Sequence, residues 1–245
     1  MSNGLKVKKR KGNYEPLDLD KMHVMVEEAC EGLAGVSASQ VEIQSGIQFY
    51  DGITTDEIQE ILIKSASDLI DLDHPNYQYV AARLLLFSLR KKIYGNGRKK
   101  ITIPSLIDHI TKEAYDDHYD RDIFTKYSKE EIEKVGEWVD HDRDYLFTYA
   151  GLRQVVDKYL VQDRSSGEHY ETPQFMYIMI ALTIFAEYPK ETRLNYVRKY
   201  YDAISKHKIN IPTPIMAGVR TPIRQFASCV LVDSDDTLDS IFSSD

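Results

Sequence analysis

Residues 173–185 constrain the fold more than any other stretch. After Thr172-Pro173 come Met176, Ile178, Met179, Ile180, Leu182, Ile184 and Phe185, so a helix here is apolar nearly all round. Such a helix has no face to give to water and must be enclosed by other elements. The pattern elsewhere supplies them. Lys190 to His207 is amphipathic, with Leu194, Val197, Tyr201 and Ile204 on one face. Ser37-x-x-Gln40, Thr54-x-x-Glu57 and Ser128-x-x-Glu131 read as capping boxes, each opening a further helix. Asp18 is placed to cap a helix beginning near Leu19, with Met22, Met25, Val26, Ala29 and Leu33 as its apolar stripe. Pro75 opens another, carrying Tyr79, Ala82, Leu86 and Leu89, and Gly95 closes it.

Strand signals are short. Val7, Arg10 and Leu17 lie on two extended segments around Lys11-Gly12-Asn13, where Gly12 takes the turn. A second hairpin is expected where Tyr159-Leu160-Val161 and His169-Tyr170 flank Asp163-Arg164-Ser165-Ser166-Gly167. From Ile209 the pattern turns strand-like, and Ser228-Cys229-Val230-Leu231-Val232 has the composition of a buried strand. Asp235, Asp236, Thr237 and Leu238 then open one more helix. The fold class is mainly α with small β hairpins. Three segments are expected, residues 1–95, 96–208 and 209–245, with Asn96 to Lys100 as a linker of glycine, asparagine and cations. A buried strand near residue 230 needs neighbours, so the third segment reads as the front of a larger domain.

Charge and composition narrow the function. A formal net charge of −8 argues against nucleic acid or an anionic membrane as partner, since both need an extended positive surface. Nucleotides need only a few local cations. The longest apolar runs fall far short of the roughly 20 residues that span a bilayer. Lys6 to Lys11 is basic but no apolar stretch follows, so no signal peptide is expected. Two cysteines, Cys30 and Cys229, make no disulfide framework and suit a reducing cytoplasm.

Lys8-Lys9-Arg10-Lys11, with Lys21 and Lys91-Lys92, gathers cations around the first hairpin. Runs of this kind are usually solvated faces. Here Gly12 lets the backbone turn tightly, while Lys9 and Arg10 offer charge and forked donors to phosphate. Neither Gly-x-x-x-x-Gly-Lys nor Gly-x-Gly-x-x-Gly occurs, so a nucleotide site here is neither a P-loop nor a Rossmann crevice. His141-Asp142-Arg143-Asp144 mixes metal-ligand types with an arginine and reads as a charged helix face; no metal is expected in this chain. A cysteine such as Cys229 is more often a small core residue than a reactive thiol. The rigid, turning stretch from Pro212 to Pro222 before it, however, suits a loop that contacts a ligand. Cys30, on a helix, reads as packing.

Together, Val7-x-Lys9-Arg10-x-Gly12, Phe49-Tyr50-Asp51-Gly52-Ile53, Tyr77-Gln78-Tyr79-Val80-Ala81-Ala82-Arg83, His141-Asp142-Arg143-Asp144, Lys158-Tyr159-Leu160-Val161, Pro212-Thr213-Pro214-Ile215-Met216 and Arg224-Gln225-Phe226-Ala227-Ser228-Cys229 carry a resemblance. The chain resembles the N-terminal part of the large, catalytic α subunit of class I ribonucleotide reductase, especially its enterobacterial and T4-like phage branch. The resemblance implies an ATP-cone at residues 1–95, a helical N-terminal domain at 96–208, and at 209–245 the first strand of a ten-stranded α/β barrel. In the cone, which senses ATP against dATP, Lys9, Arg10 and Lys91 would hold the triphosphate. Glu15, Asp18 and Lys21 would lie near the base, and Thr55 would face the ribose. Positions 59 and 88 often carry histidine in this branch but are Gln59 and Ser88 here, and Asp18 stands where asparagine is common.

In the barrel, the resemblance makes Cys229 one thiol of the redox pair that reduces the ribose 2′ position. Thr213 and Ser228 would contact substrate, and Asp236 would belong to the specificity site for a dNTP effector. The implied activity is reduction of ribonucleotides to deoxyribonucleotides for DNA synthesis. Its radical cofactor lies in a small β subunit, and thioredoxin or glutaredoxin is the reductant. The partner thiol and the radical relay of that family are missing from these residues. The expectation is a split or truncated subunit, inactive alone, whose remainder comes from a second polypeptide. The other reading is a stand-alone ATP/dATP-binding regulatory module. A cone-bearing transcriptional regulator also exists, but it adds a zinc ribbon for which no cysteine spacing is present.

Overall fold

The computed structural model describes residues 4–10, 12–95 and 101–244. Two strands, β1 (Lys6–Lys8) and β2 (Tyr14–Pro16), pair antiparallel with Val7 opposite Glu15, and Gly12 turns between them at φ +86°. Lys11 lies outside the described residues. Four helices follow: α1 (Leu19–Cys30), α2 (Ala38–Gly46), α3 (Thr55–Asp68) and α4 (Tyr77–Tyr94). Asp18 caps α1 by accepting from the Lys21 backbone N–H, and Thr54 and Glu57 close a reciprocal capping box on α3. Ser37 caps α2 without the reciprocal bond, because the Gln40 side-chain oxygen is taken by the Tyr77 hydroxyl. Helix α4 starts two residues after Pro75 and ends, as expected, at Gly95 with φ +78°. The stretch before α3 lies along β1: Lys8 N–H donates to the Ile53 carbonyl and Gly52 N–H to that of Lys6, both at 2.9 Å.

Beyond residue 100 the helices are α5 (Leu106–Tyr115), α6 (Ile123–Lys126), α7 (Lys129–Gly136), a 3-10 turn (His141–Leu146) and α8 (Tyr149–Gln154), which continues as a π turn (Val155–Tyr159). After β3 (Gln162–Asp163) and β4 (Glu168–His169) come α9 (Pro173–Ile184), α10 (Lys190–Ser205), α11 (Thr213–Gly218) and α12 (Leu238–Ser244). Every residue of α9 from Pro173 to Leu182 is buried, as its composition requires, with α10, α11 and the 3-10 turn packed against it. Helix α4 joins the two ends of the molecule. It packs on α1 and α3 and also on α8 and the 3-10 turn, so Leu84 to Arg90 are all buried. One continuous apolar core results, running from Met22 to Val219. Among the described residues, no helix is long and apolar enough to cross a membrane.

Four local expectations need correcting. The second hairpin is shorter than expected: Tyr159 stays helical, and the Val161 N–H goes to the Glu171 carboxylate at 2.7 Å instead of to a strand. His141 to Asp144 is no solvated face. Asp144 is buried, accepting from the Arg90 guanidinium at 3.0 Å and the Gln174 amide at 2.9 Å. The Ile-Pro-Thr-Pro stretch is not strand-like either, because Pro214 occupies the first turn of α11, where a missing N–H does no harm. Finally, Ser228 to Val232 is exposed coil, with Leu231 100% exposed. A strand exists only through ladder bonds to a neighbour, and no described residue supplies them.

Candidate nucleotide site

A cavity of about 240 Å³ opens where the first hairpin, α1, α3 and α4 meet. Lys9 reaches it from the end of β1, and Asp18 and Lys21 from the start of α1. Thr55 and Gln59 lie one turn apart on α3, as do Phe87 and Lys91 on α4, so each pair presents one face. Met22, Met25, Ile58 and Phe87 make an apolar floor beneath these polar groups. Five of the seven residues expected around the nucleotide, Lys9, Asp18, Lys21, Thr55 and Lys91, therefore share one cavity. The other two flank it: Glu15 pairs with Lys9 at 3.2 Å, and Arg10 binds Asp56 at 2.7 Å.

Its cations are mostly held by carboxylates. Lys21 pairs with Asp18 at 2.9 Å, and their mutual hydrogen bond lowers the Asp18 pKa. Arg10, with help from Lys91 and Lys92, holds the Asp56 carboxyl below its usual range despite partial burial. Lys91 is different. Its pKa is lowered first by desolvation and then by the positive charges of Arg10 and Lys9, so an arriving anion relieves an existing penalty. Gln59 is buried, its amide donating to the Leu84 carbonyl at 3.2 Å, and Ser88 is buried behind it on α4. Cations at the rim over an apolar floor fit a ligand with a polyanionic end and a flat apolar end.

The residues expected to act on substrate are not gathered. Thr213 begins α11, its hydroxyl 3.3 Å from that of Tyr159. Ser228 and Cys229 lie on the exposed coil with Oγ and Sγ 3.8 Å apart, and Asp236 is exposed just before α12. Cys30 is half-buried in the α1 packing, and burial pushes its thiol up to about 11. Metal-ligand types meet at Glu113, Asp116 and His118, within 4.8 Å. There the Glu113 carboxylate is already bonded to the Lys112 ammonium and the His118 ring, each at 2.7 Å. Sequence reasoning missed the floor of the nucleotide cavity and the part of Asp56. Met22 and Met25 were visible only as helix stripe, and nothing in sequence ties Asp56 to Arg10, 46 positions away.

Two known families match parts of the chain. Residues 5–92 match the ATP cone domain, and residues 145–224 match the ribonucleotide reductase all-alpha domain. The chain is thus an ATP cone joined to the all-alpha domain of ribonucleotide reductase. Its homologues are alpha subunits of ribonucleoside-diphosphate reductase, whose N-terminal part it matches. It is 52% identical to subunit alpha of ribonucleoside-diphosphate reductase 1 of Escherichia coli K12, over 98% of this chain and 31% of the relative. Identity to the alpha subunit of Haemophilus influenzae is also 52%, with the same coverage, and to that of Enterobacteria phage T4 it is 42%, over 97% of this chain and 31% of the relative. The chain spans 31% of the length of these curated relatives.

Proposed function

We propose that this chain acts as the N-terminal, regulatory part of a ribonucleoside-diphosphate reductase alpha subunit, and that the cavity on the cone takes ATP and dATP. The observation that carries this reading is the convergence of Lys9, Asp18, Lys21, Thr55 and Lys91, from four elements, on one cavity with an apolar floor. Lys9, Arg10 and Lys91 hold the triphosphate, and the first two must exchange Glu15 and Asp56 for phosphate oxygens. Asp18, Lys21 and Glu15 lie toward the base and Thr55 toward the ribose. Residues 1–95 are the regulatory domain, 96–208 the helical domain, and 209–245 the start of the catalytic barrel.

In that barrel Cys229 serves as a reducing thiol, Thr213 and Ser228 contact the ribonucleotide, and Asp236 joins the dNTP specificity site. The exposed apolar side chains of Phe226, Val230, Leu231 and Val232 support pairing of this stretch with further alpha-subunit sequence. The radical-bearing beta subunit and thioredoxin or glutaredoxin complete the system, in the cytoplasm.

Isothermal titration of the 245-residue chain with ATP and dATP tests the cone. Saturable binding is expected, weakened about tenfold by Lys91→Ala, in line with about 1.5–3 kcal/mol for a hydrogen bond to a charged group. Undetectable binding of both nucleotides at millimolar concentration overturns the reading.

A further inference from the structure

A second cavity, of about 350 Å³, is built from the other half of the chain, between α8, the π turn, α9, α10 and the approach to α11. One part of its wall is apolar, where Phe147, Val155, Ile204 and Met216 are all buried. Tyr177 of α9 belongs to the same wall. Only 5% of Tyr177 is exposed, yet its hydroxyl has no hydrogen-bond partner among the described residues. The hydroxyl oxygen is not among the sealed, unpartnered polar atoms of the described residues, so it is accessible as a donor and acceptor on the cavity side of a buried ring.

The rest of the lining is mixed: Thr148, Gln154, Tyr159, His207, Lys208 and Asn210 bring polar groups to it, and the ammonium of Lys208 is the cation among them. The Lys208 ammonium makes no ion pair among the described residues, and the Asn210 side-chain oxygen is used by the Ile211 N–H, leaving its amide hydrogens free. His207, at φ +54°, sets its ring 4.4 Å from that of Phe147, and burial lowers its pKa, so it stays neutral at pH 7. No carboxylate lines the cavity. The size lies within the roughly 300–1,000 Å³ of small-molecule sites. A single rim cation suits one negative charge and is too little for a triphosphate, which sets this cavity apart from the one on the cone.

We propose that this cavity is a binding site for a small planar aromatic ligand bearing one anionic group. The ring lies against Phe147, Val155 and Met216, an edge acceptor takes the Tyr177 hydroxyl, and the anion meets Lys208. The inference is independent of nucleotide binding to the cone. Naphthalene-2-carboxylate is a suitable probe, followed by the methyl NMR signals of the six methionines, with naphthalene-2-carboxamide as the neutral control. The carboxylate should shift the Met216 methyl saturably and leave Met22 and Met25 unmoved, with or without saturating ATP. Tyr177→Phe, which gives up no bond within the chain, should keep the thermal midpoint and weaken the probe about fivefold, the value of one hydrogen bond. Lys208→Gln should weaken the carboxylate and not the carboxamide. Absence of a saturable Met216 shift, movement of Met22 or Met25 instead, or equal affinity in both variants and the parent chain would each overturn the proposal.

Discussion

Arg220 keeps a full charge although only 1% of it is exposed. Burial alone would lower its pKa, but Glu171 beside it more than compensates, and the net shift is upward. Its guanidinium also donates to the Tyr159 carbonyl at 2.8 Å, and Glu171 accepts from the Tyr119 hydroxyl at 2.6 Å. A buried pair of this kind adds little net stability, but removing one partner strands the other. Arg220→Met should therefore cost about 3–5 kcal/mol in urea unfolding, and the double variant Arg220→Met/Glu171→Leu should recover only part of it, because the Val161 N–H and the Tyr119 hydroxyl then lose the carboxylate they donate to. Histidines make a second residue-scale prediction. Burial, then Lys112 and His141, holds His109 down to about 3, and burial, then Arg90, holds His141 down to about 4. Unfolding frees both to protonate near their ordinary value, so the unfolded chain takes up more protons than the folded one. Stability is complete above about pH 6.5 and falls as the pH drops toward 4, by up to about 1.4 kcal/mol per unit for each histidine. Urea midpoints measured between pH 7 and 5 check this, and His109→Phe should flatten the slope.

At the scale of elements, the capping box of α3 has two duties. Thr54 closes the helix end with Glu57, while the backbone beside it bridges to Lys8 of β1. Thr54→Ala should cost about 1 kcal/mol, the usual loss for such a cap, and hydrogen exchange should rise first in the opening turn of α3. Because Thr55 and Asp56 sit in that turn, the same variant should weaken ATP as well. Helix α4 shows why one element serves two regions. Its last turns carry Phe87 and Lys91 to the nucleotide cavity, while Arg90 between them turns the other way to Asp144. Arg83, on an earlier turn, donates to the Ala29 and Glu31 carbonyls and so closes the end of α1.

For the molecule as a whole, the uninterrupted core through α4 predicts a single cooperative unfolding transition in calorimetry, since the cone and the helical half share buried side chains. The stretch from Ile223 to Val232 lies outside that core, with Ile223, Phe226, Val230 and Leu231 exposed. Brief proteolysis should cut there and leave a fragment ending near Arg220 with an unchanged thermal midpoint.

Much of the architecture was legible residue by residue. Asp18, Thr54 and Ser128 mark helix starts through bonds to backbone three positions on, Gly12 and Gly95 mark turns, and the apolar girth of residues 173–185 demanded enclosure. These are local interactions, or consequences of one segment's own composition, and need no knowledge of the rest of the chain. The cation cluster was legible too, but its counterions were not: Arg10 meets Asp56 across 46 positions. The same limit explains why His141 to Asp144 looked solvated, since Arg90 is 54 positions from Asp144. Ser228 to Val232 has strand composition without a strand for a related reason, because ladder bonds belong to a pair of segments and not to either one. The chain's own order thus determined where helices begin, end and turn an apolar face. Which charges meet, which cavities form and which apolar stretch stays bare were decided by tertiary packing, because each depends on groups that only folding brings within a few ångströms.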